Sequence, residues 1–375
     1  MDHGPVTQLT IDELAKYLRK LIPANIPESY ALKNRFKSVA NESGIIDGVV
    51  AYRNFLYVFN DRLMSDGHSH FKLRTNPKKD TDYPLLYSIT DLLADIGYYG
   101  KLAENGDAML ITELPSFTVS IDEKGRKKQP RNSAVKLTEA LRFLALCGFD
   151  FHGIDLNEKK FSISEGLPIE VCYPDTPILL TGLKVISIAD IELRVKRYKT
   201  DFNHDNLLLC DYRLLKESDT DELEVLNEFL QPLPQKVRAF ALDLHKYYIK
   251  KGMTCESILT TFEAHFSYSY VKNNRKTLSA RDVYQKRTWE FVLSTKHGYN
   301  LVVRSRKTDK YPDVIENLPL SLQKKIEAGY GCDRKLHDEP CQQGCQGIRF
   351  PLDESILSIG EGIKTWLDKE LSYKF

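Results

Sequence analysis

Two hydrophobic periods alternate along the chain. Leu14, Tyr17, Leu18 and Leu21 recur at helical spacing behind Thr10-Ile11-Asp12-Glu13, a capping box with Thr10 at the N-cap, and Pro23 ends the predicted helix. A second helix is expected over 28–40, burying Leu32, Phe36 and Val39. From Gly48 the pattern reads as strands, at 49–52, 55–59 and 70–74, with Asp66-Gly67 as a hairpin turn before the last. Residues 84–96 read as a helix stopped by Gly97, and 109–112 as a buried strand.

The middle of the chain opens with a helix over 133–147, in which Leu137, Leu141, Leu144 and Cys147 share a face, so Cys147 is expected in the core. Short strands follow near 149–151, 160–163 and 169–173. The stretch 177–194 fits either a buried helix or two strands, and 206–212 reads as a strand burying Cys210. Helices over 219–230 and 235–251 are separated by Gln231-Pro232-Leu233-Pro234, and His245 lies beside the apolar stripe of the second. Strands return at 266–271, 287–293 and 299–304, the last two forming a hairpin around Lys296-His297-Gly298. Helical segments at 314–318 and 320–328 are broken at Pro319, and a final helix over 355–371 turns Ile356, Ile359, Ile363, Trp366 and Leu367 inward.

At 375 residues the chain exceeds what one core usually supports, so we expect several domains. The polar, basic stretch 123–132 reads as a solvated loop and a first boundary. The expected architecture is α+β, with mainly antiparallel sheets and packed helices in units of about 1–125, 126–252 and 253–375. Fifty-three basic residues against 52 acidic ones argue against a dedicated nucleic-acid binder. No leader-like segment and no membrane-length apolar run occur, and seven cysteines suit reduced thiols, so a soluble cytoplasmic protein is expected.

Two stretches share an order of features. Phe71-Lys72-Leu73-Arg74 leads to Thr81-Asp82-Tyr83-Pro84, and Leu301-Val302-Val303-Arg304 leads to Thr308-Asp309-Lys310-Tyr311-Pro312; each continues into helix and then Gly-Tyr. This suggests an internal duplication, with the two outer units related.

The densest chemistry lies at 329–353. Cys332, His337, Cys341 and Cys345 supply the N/S donors of a structural zinc site, with Cys341 and Cys345 as the short pair and Gly344 permitting the turn between them. Cys255 is an alternative fourth ligand, and plain reduced thiols or a redox-active group are the competing readings. His68 and His70, one residue apart, would point the same way on a strand and could meet a metal or phosphate, or simply face solvent. No phosphate-binding glycine loop, nucleophile elbow or zinc-protease motif occurs.

The tail Gly347-Ile348-Arg349-Phe350-Pro351-Leu352-Asp353 before a helix resembles the end of small bacterial α+β domains of unknown function, some described as frataxin-like iron chaperones. The resemblance implies an α+β unit with a curved sheet and carries no activity; the whole chain also resembles uncharacterised bacterial proteins with a cysteine-rich loop. The functional expectation is a binding or regulatory protein with no catalysis of its own, whose aromatic sheet faces present a surface to a ligand or protein partner. The alternative is an enzyme of unknown class with its site in a cleft between domains, using His68, His70 or the thiols.

Overall fold

The computed structural model describes residues 10–74, 82–121, 125–158, 168–193, 204–218, 221–259, 263–269, 287–294, 297–305, 308–328 and 347–372. The fold is α+β, and every strand pairing in it is antiparallel. The chain forms two compact units: Met1–Thr220 with Thr260–Phe262, and Asp221–Leu259 with Glu263–Phe375. The positions 125/126 and 252/253 lie inside the first and second unit respectively. No helix among the described residues is long and apolar enough to cross a membrane.

In the first unit, α1 (Ile11–Leu21) starts at the expected capping box: the Thr10 hydroxyl accepts from the Glu13 amide, and the Glu13 carboxylate accepts from the Thr10 amide. Helix α2 (Glu42–His70) runs 29 residues, about 44 Å at 1.5 Å per residue. This overturns the strands expected at 49–52 and 55–59 and the turn at Asp66-Gly67, and of the strand expected at 70–74, His70 is helical and the rest is loop. Aromatic and β-branched residues crowd the segment, but its buried positions Ile45, Val49, Tyr52, Phe55, Leu56, Phe59 and Leu63 step at three and four residues. Gly67 lies within the helix because α1 approaches there; a Cβ on it would lie 2.8 Å from Ile11 Cγ2.

The helix expected over 28–40 is also absent apart from a 3-10 turn at Asn34–Phe36. That segment bonds across the fold instead: Leu32 bridges Lys216, Lys33 donates to Leu215 O, and Glu217 donates to Ala31 O. Long-range pairing has overridden local propensity.

Helix α3 (Pro84–Tyr99) runs past Gly97 and ends at Gly100. Strands β1 (Lys101–Leu102), β2 (Ala108–Ile111), β3 (Ser120–Ile121) and β4 (Lys127–Lys128) follow, then α4 (Ala134–Leu146), capped by Ser133 with Cys147 buried behind it. Strands β5 (Asp150–His152) and β6 (Ile169–Cys172) complete a sheet of order β1-β2-β6-β5, while β3 and β4 pair separately. Helix α5 (Leu179–Leu193) resolves the ambiguity at 177–194 in favour of helix. Residues 206–212 are helical or turn rather than strand: a short α6 (Asp205–Leu208), then a 3-10 turn at Tyr212–Leu215, with Cys210 buried between them at φ 50°.

Helices α2 and α5 pack closely because glycine faces glycine: a Cβ on Gly182 would lie 1.9 Å from the Gly48 carbonyl oxygen. An aromatic cluster fills the space beside them, with Phe55 edge-on to Phe149 at 5.1 Å and Phe59 edge-on to Phe143 at 5.7 Å.

The second unit carries α7 (Glu222–Leu230) and α8 (Gln235–Lys250), then β7 (Thr254–Leu259), β8 (Glu263–Ser269), β9 (Trp289–Ser294) and β10 (Gly298–Val303). After α9 (Pro312–Glu316) and α10 (Leu320–Ala328) come β11 (Ile348–Pro351) and the terminal α11 (Gly360–Ser372). The sheet order is β11-β10-β9-β8-β7. One face is apolar, and Phe266, Phe291, Leu301 and Phe350 stand in a single cross-strand row on it. Phe229 of α7, Tyr248 of α8 and Trp366 of α11 pack against this face through Phe266, Trp289 and Phe350.

The structure does not show the duplication. Residues 71–74 are loop after a long helix, whereas Leu301–Val303 lie in a central strand of a five-stranded sheet, and the sheet that follows 71–74 is four-stranded. The shared feature reduces to a Tyr-Pro helix start, where proline at the first helical turn is locally favoured.

Candidate functional site

Alternation along β8–β10 sends one set of side chains toward the helices and the other set to the opposite face of the second unit's sheet. On that opposite face Glu256, Ser267, Glu290, Val302 and Arg349 form one cross-strand row. Antiparallel sheets with one packed face usually leave the other in water. Here the polar face is buried: Glu290 and Thr288 are fully enclosed, and Arg287, Arg304, Asn300 and Ser267 are each buried.

Glu290 organises this face. Its Oε1 accepts from the Ser267 hydroxyl at 2.6 Å and from Arg287 Nη1 at 2.9 Å, and its Oε2 accepts from Arg304 Nε at 2.8 Å. Burial works to raise the carboxyl, but the charges of Arg304, Arg287 and His265, with the Ser267 bond, outweigh it and hold the group at about 2. Glu290 is therefore a fixed counter-ion for two guanidiniums and carries no exchangeable proton near neutrality. Arg349 lies two strands away in the same row, on the edge strand β11 and half-buried. Among the described residues its Nη1 is buried without a hydrogen-bond partner.

The first unit holds a second buried polar centre. Asp91 and Asp95 sit one turn apart on α3, and His204 bridges carboxylates, with Nδ1 2.7 Å from Asp190 Oδ2 and Nε2 3.3 Å from Asp91 Oδ1. Asp91 also accepts from Asn132 Nδ2 at 2.8 Å and pairs with Arg131 at 3.3 Å. Burial opposes its charge, but His204, Arg131 and Asn132 prevail and hold Asp91 below the ordinary carboxyl range. For Asp95 burial wins over the bonds from the Ser116 amide and hydroxyl, and the carboxyl is pushed up to about 7. Burial opposes charge on His204 as well, yet the two carboxylates raise it above its usual value. The arrangement ties loop residues 116, 131 and 132 and the start of α6 to the middle of α3.

A third group is exposed. His152 and Glu170 are direct partners across β5 and β6, and Cys172 follows Glu170 on the same face; their ligating atoms lie within 4.8 Å of one another.

The sequence-predicted residues fare differently. Cys332, His337, Cys341 and Cys345 lie outside the described residues. Cys255 is on β7 opposite Tyr268, and burial pushes its thiol up to about 12. His68 and His70 are on helix rather than strand, so they do not share a face; both are exposed, His68 near Asp12 at 3.5 Å and His70 edge-on to Phe143. His245 is buried on α8, its Nδ1 2.7 Å from the Tyr268 hydroxyl, a core role.

Sequence reading missed Glu290 with its arginines and the Asp91–His204 centre. Both left signals. Asp91 and Asp95 are the only acids in an otherwise apolar helix, at i and i+4. Glu290 interrupts an apolar strand, and the hairpin register sets it beside Arg304.

Compared with protein-family models, curated proteins and solved structures, the chain gives no match.

Proposed function

We propose that this chain is a binding or regulatory protein with no catalysis of its own, and that its second unit takes an anionic group of a ligand at the Arg349 edge of the polar sheet face. The observation that carries the reading is the buried Arg349 Nη1, a charged donor with no hydrogen-bond partner among the described residues, on an edge strand beside a face already rich in guanidinium. A buried donor left unsatisfied costs about 1–3 kcal/mol, and more when charged, so an anion there would offset a standing cost. Glu290 holds Arg287 and Arg304 in place, which limits the ordering a ligand must impose. Titration calorimetry with inorganic phosphate, pyrophosphate and a nucleoside triphosphate tests this. Binding should weaken with salt and fall about tenfold or more in Arg349→Gln. Undiminished binding in that variant, or no binding of any anion, would remove the proposal.

Within the same reading, Cys332, His337, Cys341 and Cys345 hold one structural zinc, on the strength of their spacing alone. Purified protein should contain about one zinc per chain, lost in Cys341→Ser; a metal-free wild type would refute it.

One observation favours the enzymatic alternative. Asp91 and Asp95 are pushed in opposite directions, as acid and base partners are in many active sites. Turnover of any substrate in a hydrolase or transferase panel, abolished in Asp95→Asn with the fold intact, would support it over the binding reading.

A further inference from the structure

The exposed face of the first unit's four-stranded sheet gathers donors of three kinds. His152 on β5 pairs directly with Glu170 on β6, and Asp150 pairs with Cys172. Alternation on β6 buries Ile169 and Val171 and turns Glu170 and Cys172 to the other side. Cys172 Sγ lies 3.8 Å from Glu170 Oε1, and the imidazole, carboxylate and thiol atoms fall within 4.8 Å of one another.

We propose that His152, Glu170 and Cys172 form a binding site for a divalent cation of the zinc type. Zinc bonds of about 2.0–2.3 Å in a tetrahedron place ligand atoms about 3.3–3.6 Å apart, so small side-chain rotations suffice to close this group on one ion. The donor set of one nitrogen, one sulfur and one oxygen suits a borderline cation and disfavours magnesium or calcium, which prefer oxygen alone. The setting favours a cation as well: Asp150 is the direct cross-strand partner of Cys172, so a second carboxylate stands beside Glu170 on this face. A bound divalent ion would hold the sulfur as thiolate. Three protein ligands on an exposed face leave the fourth position to water. The ion would therefore load and leave from solution, unlike one enclosed in a cage of four protein donors. This site shares no residue with the cysteine-rich tail or with the Arg349 edge.

Thiol alkylation of the full-length, reduced, chelator-treated protein tests the site, with each cysteine read separately by peptide mass spectrometry. Zinc at about two equivalents should slow alkylation of Cys172 about tenfold or more, magnesium should not, and EDTA should restore the rate. The protection should disappear in His152→Ala and in Glu170→Gln, two exposed positions whose exchange leaves the core untouched. Because Cys332, Cys341 and Cys345 are scored on their own peptides, zinc held at the tail does not count toward the result. Unchanged alkylation of Cys172 in zinc, or protection that survives both substitutions, overturns the proposal.

Discussion

Replacing Glu290 by glutamine keeps the shape of the side chain and removes its charge. The carboxyl titrates at about 2 in the folded chain against an ordinary 4.5, which is worth about 3 kcal/mol at neutral pH. Loss of the charge also takes the Glu290 partner from Arg287 and Arg304, both buried, and breaking a buried ion pair from one side costs about 3–5 kcal/mol. With a urea dependence of about 2 kcal/mol per molar, the unfolding midpoint should fall by roughly 1.5–2.5 M. The assay is clean because the chain's two tryptophans, Trp289 and Trp366, are both buried in the second unit, so indole fluorescence follows that unit alone. The pH dependence supplies a second readout. A depressed folded value means the stabilisation is present above 4.5 and is lost as pH falls toward about 2. Wild type should lose that increment across the window, and Glu290→Gln should not. Adding Arg304→Met to the glutamine variant should recover part of the loss, since it removes one of the two buried charges that Glu290 had balanced. A midpoint shift under about 0.5 M, or parallel acid losses in the two proteins, would refute the reasoning.

Asp95 has the opposite sign. Its carboxyl, raised from 3.8 to about 7, binds a proton more tightly in the folded state, so the first unit should lose stability as pH rises across that window. Asp95→Asn should flatten the decline in thermal melts followed by near-ultraviolet dichroism of the tyrosines, while an unchanged slope would count against it. Gly182→Ala should destabilise the first unit by about 3 kcal/mol, because the new methyl meets the Gly48 carbonyl and the two helices must separate; chemical denaturation followed by far-ultraviolet dichroism measures this.

The anion and zinc assays above complete the set, and they bear on different parts of the molecule. Loss of anion affinity in Arg349→Gln concerns the edge of the second sheet, whereas the zinc lost in Cys341→Ser concerns the tail thiols. Each can fail without the other.

Where local signals agreed with one another, the sequence alone was enough. The capping box at Thr10, the helix α4 over the expected 133–147, the double-proline break between α7 and α8, and the hairpin around Gly298 each depend on residues within a few positions. Their hydrogen bonds close over short loops, so no distant partner is needed to decide them. Tertiary structure decided the rest. Residues 49–59 carry strand-like side chains, yet they form helix because α1 and α5 bury two sides of α2, with Gly48 and Gly67 allowing close approach. Residues 31–33 are extended because their backbone groups find partners at 215–217, about 180 positions on, where no local pattern points. The candidate sites are of this second kind. Strand alternation assigns Glu290, Arg304 and Arg349 to faces, and it assigns His152, Glu170 and Cys172 likewise, but only register brings each set together. A shift of one residue would turn a strand's donors to the other face, and what prevents that shift is the packing of the apolar side chains between them.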